Sequence, residues 1–473
     1  MKMKKFVVCL VMMLTLSLTL TACGGGQSDA PSEPKKEVAV FGDTDTEKKT
    51  EESVEAETSS EEVVVEPTSE EESVEEPAVE EETTPVAVPT VTGEAPVASE
   101  MVMRSLMQTG NNYRLKKAID KAKSGEEVVI AYIGGSITEG ANATPNNKCY
   151  AYRSYEYFKE TFASGGDNVK FVNAGMSGTP STIGMIRYDR DVIQKVGEPD
   201  ILIVEFAVND GDDPTNGVCY ESLVLNALQA ENDPAVVLLF AVFKSQWNLQ
   251  DRLSPIGTYY DLPMVSIKDA VVPALKDGEL TEAEFFSDVY HPTNAGHQLM
   301  ADCLNYMFDV VNYEEASEKD ITIPAVPKIG NAFVGVKMVD SKTSDSNVTI
   351  TPGCFTGTDN AVGGFQHSKD KTFPNNWLKT STATGDSFKM ELTCKNLVML
   401  YKSSNNQNYG KAEVYVDGEK VATLNGYAAS GWNNPLLKIL FNKKESAKHT
   451  IEIKMAEDSE GKAFTIMGFG YTE

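Results

Sequence analysis

Little in this sequence is positively charged, and that scarcity excludes a class of partner. Its 42 Lys and Arg stand against 70 Asp and Glu, a formal net charge of −28 over 473 residues, which repels the phosphates of nucleic acid. Nucleic acid is therefore not an expected partner. Long apolar runs are equally scarce: beyond one N-terminal stretch, none is long enough to span a bilayer. Histidine occurs four times, at His291, His297, His367 and His449, so imidazole chemistry has few seats. The cysteines Cys9, Cys23, Cys149, Cys219, Cys303, Cys354 and Cys394 are scattered. They show neither a disulfide framework nor, with the histidines, metal-ligand spacing, so no metal or other cofactor is expected. Cys354 and Cys394 are the one pair confined to the C-terminal part and stand as a candidate bridge. Three nucleotide or hydrolase signatures are also missing. Gly134-Gly135-Ser136-Ile137-Thr138 fails the Gly-x-Ser-x-Gly elbow at its last position, no Gly-Lys-Ser/Thr loop follows a strand, and Ser136 is followed three residues on by Glu139 rather than lysine.

The N-terminus carries an address. Lys2, Lys4 and Lys5 precede the apolar run from Phe6 to Leu20, and Leu20-Thr21-Ala22-Cys23 matches a bacterial lipobox. That match implies cleavage before Cys23, lipidation of its thiol, and an outward-facing, membrane-anchored protein at the bacterial cell surface. Residues 24–100 follow as a linker rich in Glu, Ser, Thr, Val and Pro, too poor in aromatics to fold. Between Gln27 and Glu100 it holds 23 acidic and 4 basic residues, so 19 of the 28 net negative charges lie there. A self-repelling chain of this length reaches roughly 50 Å and would hold a folded part clear of the membrane.

From about residue 101 the pattern is strand-helix alternation, as a doubly wound parallel sheet requires. Val128 to Ile133 is an apolar, β-branched run that delivers Gly134-Gly135-Ser136 to its carboxyl end, where open α/β sheets place their chemistry. Residues 169–173 form a second strand, followed by Ala174-Gly175-Met176-Ser177-Gly178. Residues 201–206 form a third, ending near Asn209-Asp210; 235–243 and 264–267 are a fourth and fifth, with helices expected at 150–162 and 219–230. Near the end, Asp288 stands three residues before His291, and no other histidine has an acid so spaced. Taken singly, each residue has an ordinary use: Ser136 as a helix N-cap, Gly178 as a turn glycine, Asn209 as an Asx turn, Asp288 and His291 as solvated loop residues.

Taken in order, the blocks resemble the SGNH (GDSL-like) hydrolase family over residues 101–312. The first block departs from the name-giving Gly-Asp-Ser-Leu, because Gly135 precedes the serine. The resemblance implies a flavodoxin-like three-layer α/β fold with Ser136 as nucleophile, His291 as base and Asp288 as its acid partner. It assigns the oxyanion hole to the backbone N–H groups of Ser136 and Gly178 and the side-chain amide of Asn209. The chemistry agrees, since a serine hydroxyl needs a neutral imidazole to take its proton and an acceptor to fix that imidazole's tautomer. His297, six residues beyond His291, reads as structural. Residues 185–191, with Arg187 and Asp189, read as a loop at the sheet's carboxyl edge; they and 244–247 either line a substrate cleft or serve as a helix start and a packed tryptophan. Glu139, Asn142, Thr144, Asn146 and Asn147 make the loop after Ser136 polar.

Residues 326–473 change character to short alternating runs separated by Asp-Gly and Asn-Gly turns, the pattern of an all-β, jelly-roll-like sandwich. This part is similar to the accessory domains of some carbohydrate esterases, and Trp377, Trp432, Tyr409 and Tyr427 are either core residues or surfaces for stacking sugars. The combined expectation is a surface-tethered serine esterase that removes O-acetyl groups from a polysaccharide such as acetylxylan, with the acylated glycan as partner and the membrane reached through Cys23. Lysophospholipase, thioesterase or cell-wall glycan O-acetylesterase activity are alternatives. A glycan-binding lipoprotein with an idle hydrolase scaffold is an alternative of another class.

Overall fold

The computed structural model describes residues 95–363 and 372–473. The leader, Cys23, His367 and all but the end of the acidic linker lie outside these described residues.

The first sheet has six strands: β1 (Leu106–Gln108), β2 (Val128–Gly134), β3 (Val169–Gly175), β4 (Ile201–Glu205), β5 (Ala235–Phe240) and β6 (Met264–Ser266). They lie in the order β1-β6-β5-β4-β2-β3. Strands β2 to β6 are mutually parallel, and their order is that of a flavodoxin-like sheet, second-first-third-fourth-fifth. The short β1 adds an antiparallel edge on β6 that periodicity did not announce.

Every residue of β2, β4 and β5 is buried, because helices cover both faces. Alternation sorts the side chains. Ile130, Tyr132, Ile203 and Val237 face helices Tyr113–Ser124, Tyr150–Phe162 and Asn294–Tyr313, while Ala131, Ile133, Val204 and Leu238 face helices Ser181–Tyr188, Val218–Leu228 and Gln250–Tyr259.

The C-terminal region is an all-antiparallel, sandwich-like structure of β7 (Lys337–Val339), β8 (Val348–Thr351), β9 (Trp377–Lys379), β10 (Phe388–Ser404), β11 (Lys411–Val416), β12 (Glu419–Asn425), β13 (Trp432–Met455) and β14 (Phe464–Thr472). Two long strands build both layers. The first half of β10 pairs with β8 and the second half of β13, and its second half pairs with the first half of β13 and with β14. Register shifts between Cys394 and Asn396 and between Leu397 and Val398 bend the pair between the layers. Asn396 sits at that bend, donating to the Ala332 carbonyl and Thr472 Oγ1 and accepting from Lys443 N. Phe388 of one layer and Phe469 of the other stack at 5.8 Å inside the sandwich, with Trp377 against Phe388 at 5.2 Å.

The outer face of the second layer is not solvated. Leu397 and Met399 point into the sandwich, but Val398, Leu400 and Met467 join the hydrolase-side core with Ile186 and Leu223. The segment leading into the sandwich is pinned by one buried carboxylate, Glu221, which accepts from Lys328 N at 2.5 Å, Gly330 N at 2.7 Å and the Tyr260 hydroxyl at 2.6 Å.

Residues 185–191 follow the helical alternative rather than the cleft-lining loop: helix Ser181–Tyr188 continues into a π turn, Asp189–Ile193. Arg187 is fully buried and donates to the carbonyls of Gly134 and Ala174, bracketing the carboxyl ends of β2 and β3, with Asp191 beside it at 3.2 Å. A strand end that must leave its ladder to carry a turn exposes carbonyls, and a buried guanidinium satisfies them. Exposed Asp189 accepts from Gln194 at 2.7 Å. Cys354 and Cys394 are both free, so the candidate bridge is not formed.

Candidate active site

Strand β2 ends at Gly134, and Ser136 is the first residue of the short helix Ser136–Glu139. The turn is closely packed: a Cβ on Gly134 would meet Thr138 Oγ1 at 2.1 Å, and one on Gly135 would meet the Asn209 side chain at 2.3 Å. A side chain at Gly135 would displace the Asn209 amide lying against it, which fits glycine here where the name-giving motif has aspartate.

Ser136 Oγ lies 2.9 Å from His291 Nε2, and His291 Nδ1 lies 2.9 Å from Asp288 Oδ2. The three side chains expected to act together are in one hydrogen-bonded line. Asp288 is held in turn: its Oδ1 accepts from the backbone N–H groups of Tyr290 at 2.7 Å and His291 at 2.8 Å, and its Oδ2 accepts from Asn142 Nδ2 at 2.7 Å. Burial alone would raise this carboxyl, but the hydrogen bonds from the His291 ring and the two amides outweigh it and hold it at about 2. The carboxylate is therefore charged throughout the neutral range. Asn142, named only as a polar loop residue, adopts φ 65° to make its contact, which only the fold reveals.

Gly178 follows β3 with φ 67°, the left-handed region, and a Cβ there would sit 2.6 Å from Cζ2 of Trp432 in the sandwich. Trp432 is 43 % exposed and wedged between Gly178 and Gly363, so the C-terminal region reaches the turn that follows β3, beside Ser136. Of the other aromatics considered for sugars, Trp377 is buried in the sandwich core and Tyr409 donates its hydroxyl to Asp359.

Glu139 does not face a cleft. It is buried, and its Oε2 accepts from both Ser177 N at 3.1 Å and Ser177 Oγ at 2.6 Å. One carboxylate so ties the helix that begins at Ser136 to the turn that carries Gly178. Asn173 adds a second tie, donating to the Thr138 carbonyl at 2.7 Å and accepting from Gly175 N at 2.8 Å.

Two further acids lie beneath the site, and reading the chain did not single them out. Glu205, at the end of β4, is fully buried and accepts from Thr138 Oγ1, which also bonds the Tyr150 hydroxyl. Burial, reinforced by the nearby Asp210 charge, pushes Glu205 up to about 8. Asp210, next to Asn209, accepts from Ser181 N at 2.7 Å, and burial pushes it to about 7. A short polar side chain at a strand end carries no periodic signal, so such residues escape reading by pattern. His297 is buried, bonded to the Ala141 carbonyl at 3.1 Å, and burial lowers it to about 4; it is a packed neutral imidazole. Among the described residues no cluster of three His, Cys, Asp or Glu is placed to hold a metal ion.

The arrangement can pass a hydroxyl proton to an imidazole whose far nitrogen is fixed by a charged carboxylate, beside an amide and a glycine turn aimed at the same strand edge. The model of the GDSL-like lipase/acylhydrolase family matches residues 132–299, a span that contains Ser136, Gly178, Asn209, Asp288 and His291. Among solved structures, a two-domain esterase (CEX) active on acetylated mannans is 28% identical, with TM-score 0.68 over 79% of this chain and 99% of that chain. The same esterase co-crystallized with mannopentaose is 29% identical, with TM-score 0.67 over 79% of this chain and 98% of that one. No curated protein matches the chain by sequence. Residues 132–299 thus form a GDSL-like lipase/acylhydrolase domain, an ester-hydrolase domain of the SGNH type.

Proposed function

We propose that this protein removes O-acetyl groups from a polysaccharide, with Ser136 as nucleophile, His291 as general base and then acid, and Asp288 orienting the imidazole. Ser136 Oγ attacks the acetyl carbonyl as its proton moves to His291 Nε2, the sugar alkoxide leaves with that proton, and water repeats the sequence on the acetyl-enzyme. The backbone N–H groups of Ser136 and Gly178 and the Asn209 amide stabilise the oxyanion, and losing one such donor costs on the order of a hundredfold in rate.

The observation that carries the polysaccharide reading is Trp432. An exposed indole from the β region, seated on the oxyanion-side Gly178, gives the cleft an aromatic wall suited to a sugar ring. The similar esterase acting on acetylated mannans, matched across both regions of this chain, supports the same reading. Acetate release from acetylated mannan and acetylxylan, measured beside hydrolysis of acetyl and octanoyl esters of one alcohol, tests it. Acetyl esters outrunning octanoyl ones, with acetate released from at least one glycan, is the expected result; the reverse preference with no acetate from glycan overturns it.

Lipid anchoring through Cys23 belongs to the same proposal. Support comes from the lipobox Leu20-Thr21-Ala22-Cys23 after an apolar run. Cys23→Ser is expected to release the protein into the medium, and a variant that still pellets with membranes contradicts the anchor.

A further inference from the structure

The carboxyl edge of the first sheet fixes the order of its loops in space. Because β5, β4, β2 and β3 are neighbours in that order, the segment after β5, the Asn209 turn, Ser136 and the Gly178 turn follow one another along one edge. Trp432 closes the Gly178 end. At the other end stands a second aromatic group that the chemistry above does not use.

Trp247 is 41 % exposed and Tyr290 is 45 % exposed, so both rings present a face to solvent. They are rigidly mounted. Phe243 stacks on Trp247 at 5.8 Å with 26° between planes and meets Tyr290 edge-on at 5.1 Å. Phe243 N donates to the Trp247 carbonyl at 3.1 Å, Gln246 takes φ 64° to close that turn, and Lys244 N donates to the Val289 carbonyl at 3.3 Å, joining this turn to the His291 loop. The group is also continuous with the catalytic line: Tyr290 precedes His291, and a Cβ on Gly211, two residues past Asn209, would meet Trp247 at 3.3 Å.

We propose that Trp247, with Tyr290 and Phe243, is a glycan subsite: a platform on the His291 side of Ser136 that stacks against a pyranose ring of the substrate chain, distant from the acetylated ring. The inference rests on the polysaccharide reading above. From β3 to β5 is three strand spacings, about 14 Å, a span that an oligosaccharide crosses and an acetyl group does not. The rim favours a sugar over an acyl chain, since the solvent-facing Lys244–Glu282 ion pair at 3.0 Å offers hydrogen bonds that hydroxyls use and methylenes do not. Preformed rings bind without an ordering cost, so stacking contributes directly to affinity.

The test compares the full-length Ser136→Ala protein, which binds without turnover, with Ser136→Ala/Trp247→Ala and Ser136→Ala/Trp247→Phe, titrated calorimetrically with acetylated manno- and xylo-oligosaccharides. The platform predicts about tenfold weaker binding for the alanine form and largely retained binding for the phenylalanine form. In the catalytic background, Trp247→Ala should raise KM for the oligosaccharide several-fold more than KM for 4-nitrophenyl acetate. Equal affinity of the parent and alanine forms, or equal loss on glycan and small ester, overturns the platform while leaving the polysaccharide reading intact. If the parent binds no glycan although the wild type hydrolyses small acetyl esters, it is the polysaccharide reading that fails, and the platform with it.

Discussion

Replacing Glu139 tests whether the oxyanion turn is held from the nucleophile's own helix. Both bonds from Ser177, at 3.1 Å from N and 2.6 Å from Oγ, end on the same oxygen, Oε2. Glutamine keeps an acceptor there but loses the charge, and a charge-assisted bond is roughly twice as strong as a neutral one, about 1.5–3 against about 1 kcal/mol. Alanine leaves the buried Ser177 N–H without this partner, at about 1–3 kcal/mol, a cost the turn relieves by opening toward water and moving Gly178. Misplacing one oxyanion donor costs about 10²–10³ in rate. The expected order of kcat on 4-nitrophenyl acetate is therefore wild type, then Glu139→Gln lower by about three- to tenfold, then Glu139→Ala lower by about a hundredfold. KM should change little, since the donors act on charge that develops in the transition state. Steady-state kinetics with a thermal melt on each variant measures this. A folded Glu139→Ala protein with kcat within twofold of wild type would refute the reasoning.

Two other perturbations follow from the same geometry. Glu205 has its folded value raised from 4.5 to about 8, so it keeps a proton the unfolded chain releases; its stabilising share is complete below the unfolded value and lost as pH rises toward the folded one. The melting temperature of Glu205→Gln minus that of wild type should thus increase between pH 5 and pH 8, and a difference that does not vary with pH contradicts the buried protonated acid. Gly178→Ala introduces a Cβ at φ 67° and 2.6 Å from Trp432, so it should lower kcat by about tenfold or more with the rest of the fold intact; unchanged turnover would remove Gly178 from the oxyanion hole.

Local pattern carried the parallel sheet. Helix Tyr150–Phe162 lies where its periodicity puts it, and Val128 to Ile133 forms the all-buried strand its composition implies. Ser136, Asp288 and His291 stand out in the sequence because a serine hydrolase uses those side-chain types, and the structure places them within hydrogen-bonding reach of one another. What escaped depends on contacts between distant residues. Gly178 and Trp432 are 254 positions apart, and no periodicity couples them. Arg187 reads equally as a cleft residue or as part of a helix start, because a charged side chain near an active edge suggests solvent, whereas the exposed carbonyls of two strand ends draw it inside. The sandwich's docking on the hydrolase was present in Val398-Met399-Leu400, which is apolar on both faces of a strand expected to have one face wet.

Under the proposed function, Ser136 is the residue that becomes acylated. Incubation with diethyl 4-nitrophenyl phosphate, followed by peptide mass spectrometry, traps an activated serine covalently. One diethylphosphoryl adduct is expected, on the peptide containing Ser136, formed in step with loss of esterase activity and absent from Ser136→Ala, which is itself inactive. An adduct on another serine, or full hydrolysis of acetyl esters by Ser136→Ala, would contradict that assignment.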